Sequence, residues 1–183
     1  GRVLEPGSGS GTFIGLAPDT AEATGIELDP VTAAISRALY PHTDIRTESF
    51  ADTRFPEGFF DVAVGNVPFG KLVLHDRVHN AARHGIHNHF IIKSLRLLRP
   101  GGLTSVLASH WTMDAKNPGP RRDMNALADL VGAVRLPSGA QRRIAGTEAI
   151  SDLLIFRRRP EGEPPRDLSW ETTTRLTFDG EPL

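Results

Sequence analysis

The sequence contains no cysteine, only three lysines (Lys71, Lys93 and Lys116), and no apolar run of the ~18–20 residues needed to cross a bilayer. Without cysteine there can be no disulfide and no thiolate metal site, which fits a reducing, cytoplasmic setting. No basic segment leads into an apolar stretch at the start, so no signal peptide is expected. A basic excess is missing too. The net charge is −1, whereas a protein that grips DNA unaided usually carries a clear positive surplus. What remains is 183 residues, 39% hydrophobic and 23% charged, the profile of one ordinary globular domain. The arginine-heavy cation set is the bias of a GC-rich genome. The chain opens directly on a strand-like Gly1-Arg2-Val3-Leu4-Glu5, which suggests a domain cut from a longer protein.

Strand and helix signals alternate. Strands are expected at residues 3–5, 24–28, 44–48, 61–65, 103–109, 131–136 and 150–157. Helices are expected from Pro30, from Ile86 to Arg99 and from Pro118 to Leu127. Asp29-Pro30 marks a helix start, an N-cap followed by proline at the first helical position. Val31, Ala34, Ile35, Ala38 and Leu39 then form an apolar face at helical spacing. Pro100-Gly101-Gly102 reads as a helix stop. Such alternation implies a parallel α/β sheet. The last two strands lack room for a crossover helix, so that pair is expected to be antiparallel. Residues 1–159 form the domain, and 160–183, rich in Pro and Glu, read as a tail or linker.

Two stretches carry chemistry. Glu5-Pro6-Gly7-Ser8-Gly9-Ser10-Gly11 follows the first strand, and its glycines let a ligand approach the backbone. Glu27 ends the second strand ~20 residues on, where a carboxylate can accept hydrogen bonds from ribose hydroxyls. An acid just before the turn suits a cationic ligand better than a pyrophosphate. The second stretch, Asn66-Val67-Pro68-Phe69, follows the fourth strand. At a topological switch point the first and fourth strands share one crevice, so the two motifs should face each other. The Asn66 side chain and the Val67 carbonyl can accept from an NH₂ group and orient its lone pair. Pro68 stiffens the loop, and Phe69 offers a stacking face.

These motifs, with Gly25-Ile26-Glu27-Leu28-Asp29 and Leu98-Arg99-Pro100-Gly101-Gly102-Leu103, resemble those of the amino-methyltransferases that modify adenine in DNA. Arg135-Leu136-Pro137-Ser138-Gly139 and Ser151-Asp152-Leu153-Leu154-Ile155 fit the same pattern, so the likeness spans most of residues 2–157. It is nearest the methylase region of large bacterial helicase–methyltransferase proteins of plasmids and phage-defence systems, and so of restriction–modification. The resemblance implies a Rossmann-like S-adenosylmethionine-dependent methyltransferase fold, with a mostly parallel seven-stranded sheet and an antiparallel last strand. It implies S-adenosylmethionine as cofactor and a flipped adenine in DNA as acceptor. Glu5, Pro6, Gly7, Gly9, Gly11, Glu27, Leu28, Phe50 and Asn66 would hold the cofactor. Asn66, Val67, Pro68 and Phe69 would be catalytic. Val67 replaces the family's first proline, and Ser49 stands where an aspartate is usual. The helix that normally precedes the first strand and a target-recognition domain are not evident, so other parts of a longer protein would supply duplex binding. Methyltransferases of a glutamine amide share both main motifs, and a scaffold without catalysis is a further alternative.

Five histidines crowd residues 75–89: His75, His79, His84, His87 and His89. Without cysteine or regular ligand spacing they are expected to lie over the active site rather than to bind metal. Arg142-Arg143 and Arg157-Arg158-Arg159 read as solvated strand ends.

Overall fold

The computed structural model describes residues 1–140, 149–174, 177–178 and 181–182. Arg142 and Arg143 lie outside the described residues. Seven strands form one sheet: β1 (Arg2–Pro6), β2 (Glu22–Glu27), β3 (Asp44–Thr47), β4 (Phe60–Asn66), β5 (Leu98–Ser109), β6 (Ala128–Arg135) and β7 (Ser151–Arg158). Their order is β3-β2-β1-β4-β5-β7-β6. The pairs from β3 to β5 are parallel, and β7 runs antiparallel to both neighbours. The order reverses between β1 and β4, so the carboxyl ends of those two strands flank the crevice where α/β sheets bind ligands.

Among the described residues the α-helices are α1 (Pro30–Leu39), α2 (Ile86–Leu97), the short α3 (Trp111–Asp114) and α4 (Gly119–Leu127). Helix α1 starts as its residues dictate, with the Asp29 side chain accepting from the Thr32 N–H at 2.7 Å. Its apolar stripe, however, does not face the sheet. Ala33 and Ser36 are the buried positions, while Val31, Ile35 and Leu39 are 67%, 49% and 58% exposed. The reason is closeness. A Cβ at Gly11 would come within 2.9 Å of Ser36 Oγ and 2.7 Å of the Tyr40 ring just past the helix end, so within the helix the glycine turn is met by the small Ser36.

The Pro100-Gly101-Gly102 stop also resolves differently. Helix α2 ends at Leu97, and β5 already begins at Leu98, pairing with Phe60. The register then slips before Val62 meets Leu103. Gly102 sits inside this bulge, where a Cβ would meet the Asp61 and Arg99 carbonyls at 2.8 and 2.9 Å. The glycines therefore bend a strand instead of separating two elements.

The sheet's two faces are unequal. Toward α2 and α4, Leu4, Ala63, Val106, Ala108, Leu154 and Phe156 are wholly buried. Their strand neighbours Val3, Val62, Val64, Leu107, Leu153 and Ile155 point the other way, and none of them is fully buried. On that side α1 and a 3-10 turn at Ile14–Leu16 cover β2 and β3 around Ile14, Ala33 and Ile45. Among the described residues no helix covers β4, β5 or β7 there.

The segment read as a tail or linker returns over α4 for its described part. Asn125 Nδ2 donates to the Asp167 carbonyl at 2.9 Å, Arg121 Nε to the Glu171 carbonyl at 2.8 Å, and Trp170 packs on Phe156. Of the arginines closing β7, only Arg157 is solvated. Arg158 donates to the Leu127 carbonyl at 2.7 Å, and Arg159 is buried against Asp129 at 2.7 Å. No helix among the described residues is long and apolar enough to cross a membrane.

Candidate active site

Two cavities meet at the carboxyl ends of the central strands. The first is a cleft of about 250 Å³ lined by Gly7, Glu27, Leu28, Phe50, Asn66 and Pro68, all predicted site residues. Ile26, Glu48, Ser49, Leu72, Leu74, Ile86 and Phe90 complete its walls. Its floor includes Gly7, whose φ of +67° favours glycine and where a Cβ would lie at ordinary contact distance from the Phe90 ring (3.4 Å) and Pro68 (3.6 Å). Glu27 is fixed from both sides. The Gly9 N–H donates to one carboxylate oxygen at 2.7 Å, and the Asp29 N–H to the other at 2.8 Å. Each oxygen keeps a lone pair for a further donor. Phe50 is buried and packs on Phe90 at 4.8 Å between centroids. Ser49 Oγ accepts from the Ala51 N–H at 3.2 Å.

The remaining predicted residues are elsewhere. Glu5 is not on the cleft wall. Its carboxylate is buried behind the turn and accepts from the Ile14 and Phe13 N–H groups at 2.9 and 3.4 Å. Burial pushes its pKa up to about 7, against the lowering effect of those two N–H donors. Pro6 is buried in the β1–β2 ladder opposite Ile26, and Gly11 packs on Ser36 and Tyr40. The Val67 side chain is buried in the core, with its N–H donating to the Leu107 carbonyl at 3.0 Å.

Phe69 lines the second cavity, an open chamber of about 800 Å³. His87, Asn88, His110, Trp111 and Ile150 share its wall, with Lys71 and Arg83 at the rim. Trp111 is 58% exposed, and the His110 ring lies 4.7 Å from it. His87 and Asn88 are buried, and their Nδ1 and Oδ1 atoms make no hydrogen bond. Asn66 and Pro68 on the cleft side and Phe69 on the chamber side make the tetrapeptide the partition between the two spaces. Beyond Phe69 and the histidine-rich stretch that supplies His84 and His87, sequence reasoning missed the chamber's residues. The one available signal was that Trp111 follows the carboxyl end of β5, the rule that had singled out Asn66. A further hollow, about 690 Å³, lies around Tyr40, His42, Arg46 and Phe55 and holds none of the predicted residues.

Of the five histidines expected over the site, His84 and His87 line the chamber, and the others do not line either cavity. His79 and His89 are turned inward onto Asp76 at 3.3 and 3.2 Å, and His84 reaches Asp123 at 2.7 Å. Burial lowers the pKa of His79, His87 and His89. Among the described residues no group of three or more His, Cys, Asp or Glu side chains could hold a metal ion.

With the geometry in hand, comparison with known proteins is informative about the fold. No family model matches the chain. It is 29% identical over 168 residues to Defense against restriction protein B of Escherichia phage P1, which covers 87% of this chain but 7% of that protein. Among solved structures it is similar to the modification subunit assigned to a type I restriction enzyme of Vibrio vulnificus (TM-score 0.69, 17% identity, 90% of this chain and 44% of that one). It is also similar to a Listeria monocytogenes protein assigned to the class I S-adenosylmethionine-dependent methyltransferases (TM-score 0.66, 16% identity, 91% and 56%). The fold is the Rossmann-like fold of class I S-adenosylmethionine-dependent methyltransferases. The chain thus spans a small part of its curated relative and about half of each structural one.

The cleft suits the nucleoside half of that cofactor. It has apolar walls at Phe50, Leu72, Leu74 and Phe90, a carboxylate with free lone pairs at Glu27, and a floor at Gly7, whose φ of +67° favours glycine.

Proposed function

We propose that the chain transfers a methyl group from S-adenosylmethionine to the exocyclic amine of adenine in DNA. The observation that carries this reading is the partition. Asn66 stands at the cleft's edge, while Phe69, next but two in the chain, faces a chamber large enough for a base. S-adenosylmethionine, when bound, supplies an activated methyl group. The chain's residues do the rest by positioning. Asn66 Oδ1 and the Val67 carbonyl accept from the amine and aim its lone pair through the partition. Pro68 holds that loop. Phe69 and Trp111 offer flat faces to a base taken out of the stack.

The acceptor assignment draws support from the relatives. One is a modification subunit assigned to a restriction enzyme, and the other is named for defence against restriction. With a net charge of −1, the duplex would be gripped by other parts of a longer, helicase-associated bacterial protein. The test is methyl transfer from tritium-labelled S-adenosylmethionine to duplex and single-stranded DNA, followed by nucleoside mass spectrometry. N6-methyladenine is expected. Label recovered only on a protein glutamine amide, or no transfer despite cofactor binding, would overturn the reading in favour of its two rivals.

A further inference from the structure

Lys93 is wholly buried in the middle of α2. Its ammonium donates to three backbone carbonyls of one turn, those of Phe50, Ala51 (3.2 Å) and Thr53 (3.0 Å). It also donates to Asp76 Oδ2 at 3.0 Å and lies 5.0 Å from the Phe50 ring centroid. Asp76 is equally buried. Its other oxygen accepts from the Val78 and His79 N–H groups at 3.1 Å each, and His89 and His79 approach Oδ2.

These partners belong to three different walls of the cofactor cleft. The turn carries Ser49 and Phe50. The loop ending at Asp76 carries Leu72 and Leu74, and Asn80 ties it back by donating to the Leu74 carbonyl at 3.0 Å. Helix α2 carries Ile86 and Phe90, the latter one turn before Lys93. A buried ion pair adds little net stability over an apolar pair of the same shape, so stability alone does not account for it. Its geometry does. Three carbonyls and a carboxylate converge on one point, and an ammonium offers three N–H groups there, one of them shared between two acceptors.

We infer that the Lys93–Asp76 pair is a positioning device that sets the spacing of the three walls around the adenosine half of the cofactor. The inference rests on the cofactor reading above. Neither residue touches the cleft, so both act through Phe50, Leu74 and Phe90. Burial lowers the pKa of Lys93 and Asp76 opposes it. Burial also works against the charge of Asp76, but the His79 N–H, Lys93 and His89 together hold its carboxyl well below the usual range.

The test is calorimetric titration of the whole chain with S-adenosylhomocysteine and with adenosine, comparing wild type with Asp76→Asn and Ile91→Val. Measurements are made at 10 °C, where near-UV circular dichroism matches wild type. Asp76→Asn keeps the shape but removes the charge, and it should weaken both ligands about tenfold or more. Ile91→Val, a core change away from the cleft, should lower the melting temperature and leave both affinities intact. A folded Asp76→Asn that binds both ligands within twofold of wild type overturns the inference. A wild type that binds neither ligand overturns the cofactor reading and the inference with it. Hydrogen exchange on the wild-type protein removes any dependence on the variant's folding. Adenosine should protect the Val78 and His79 amides, which lie outside the cleft, together with the 49–53 turn. Protection confined to cleft residues also overturns it.

Discussion

The two cavities flanking Asn66 differ in how far the sequence announces them. The cleft, about 250 Å³, draws on six stretches of chain, and four of them carry a residue singled out beforehand: Gly7, Glu27 with Leu28, Phe50, and Asn66 with Pro68. The chamber, about 800 Å³, gathers the loop around Phe69, the approach to α2 and its first turn, the end of β5, the stretch from Ala115 to Pro120 and the one before β7, and of these only Phe69 was singled out as a site residue. Both are assembled by folding. What differs is that strand ends and a glycine turn mark the cleft's contributors in the sequence, while nothing comparable marks the chamber's.

Variants can break this comparison apart. The largest effect is expected at the partition. Asn66→Ala should lower the transfer rate by roughly 10²–10³-fold, the usual cost of losing one preorganised polar group at a reacting atom. Cofactor affinity, measured by calorimetry, should barely change, and full transfer in this variant would exclude the mechanism. Glu27→Ala acts on the cleft alone. Losing a charged acceptor costs about 1.5–3 kcal/mol, so S-adenosylmethionine should bind roughly 10–100-fold more weakly. Unchanged affinity would mean that the carboxylate serves only to hold Gly9 and Asp29.

Trp111→Ala acts on the chamber alone. It should raise the KM for DNA by roughly 5–100-fold, as stacking on one aromatic face is worth ~1–3 kcal/mol, with cofactor affinity unaltered and Trp111→Phe largely restored. If the alanine variant matched wild type, the acceptor would lie elsewhere. Glu5 belongs to neither cavity, so its signature is stability. Its carboxyl titrates near 7 when folded and near 4.5 when unfolded. The cost of charging it is therefore complete above about pH 7 and disappears as pH falls to 4.5. Buried histidines oppose this in the same range, so the informative quantity is the difference from Glu5→Gln. The wild type should gain on that variant by a few degrees of melting temperature between pH 8 and 5, at ~2–4 °C per kcal/mol. Parallel curves would place the carboxyl in contact with solvent. The smallest effect is expected at Ile35→Lys, within about 0.5 kcal/mol by denaturant titration because the position is exposed. A larger loss would return that stripe to the core.

That last pair of expectations marks where the sequence stops being readable. The glycine turn, Glu27 and Asn66 were legible because backbone freedom, charge and strand-end position are local properties, whereas Phe50 was named only through the family resemblance. The outward face of α1 was not legible. Periodicity finds the apolar side of a helix but not whether its neighbour leaves room for anything larger than Ala33 and Ser36. Glu5 was legible as an unusual acid, yet its partner groups lie on the far side of its own turn. The Lys93–Asp76 pair joins a helix to a loop 17 residues away and carries no pattern at all. Trp111 and Asn88 become a site only once β4 and β5 are aligned.

The bare half of the sheet has a thermodynamic consequence. Strands β4, β5 and β7 bury one row of side chains and leave Val62, Val64, Leu153 and Ile155 partly in water while folded. Unfolding therefore uncovers less new apolar surface than a fully covered sheet of this size would release. Both the heat-capacity increment and the denaturant slope scale with that surface. The chain should thus melt over a broader range of urea than its length implies, with a stability curve flatter in temperature, and exchanging Val64 for threonine should move its midpoint little.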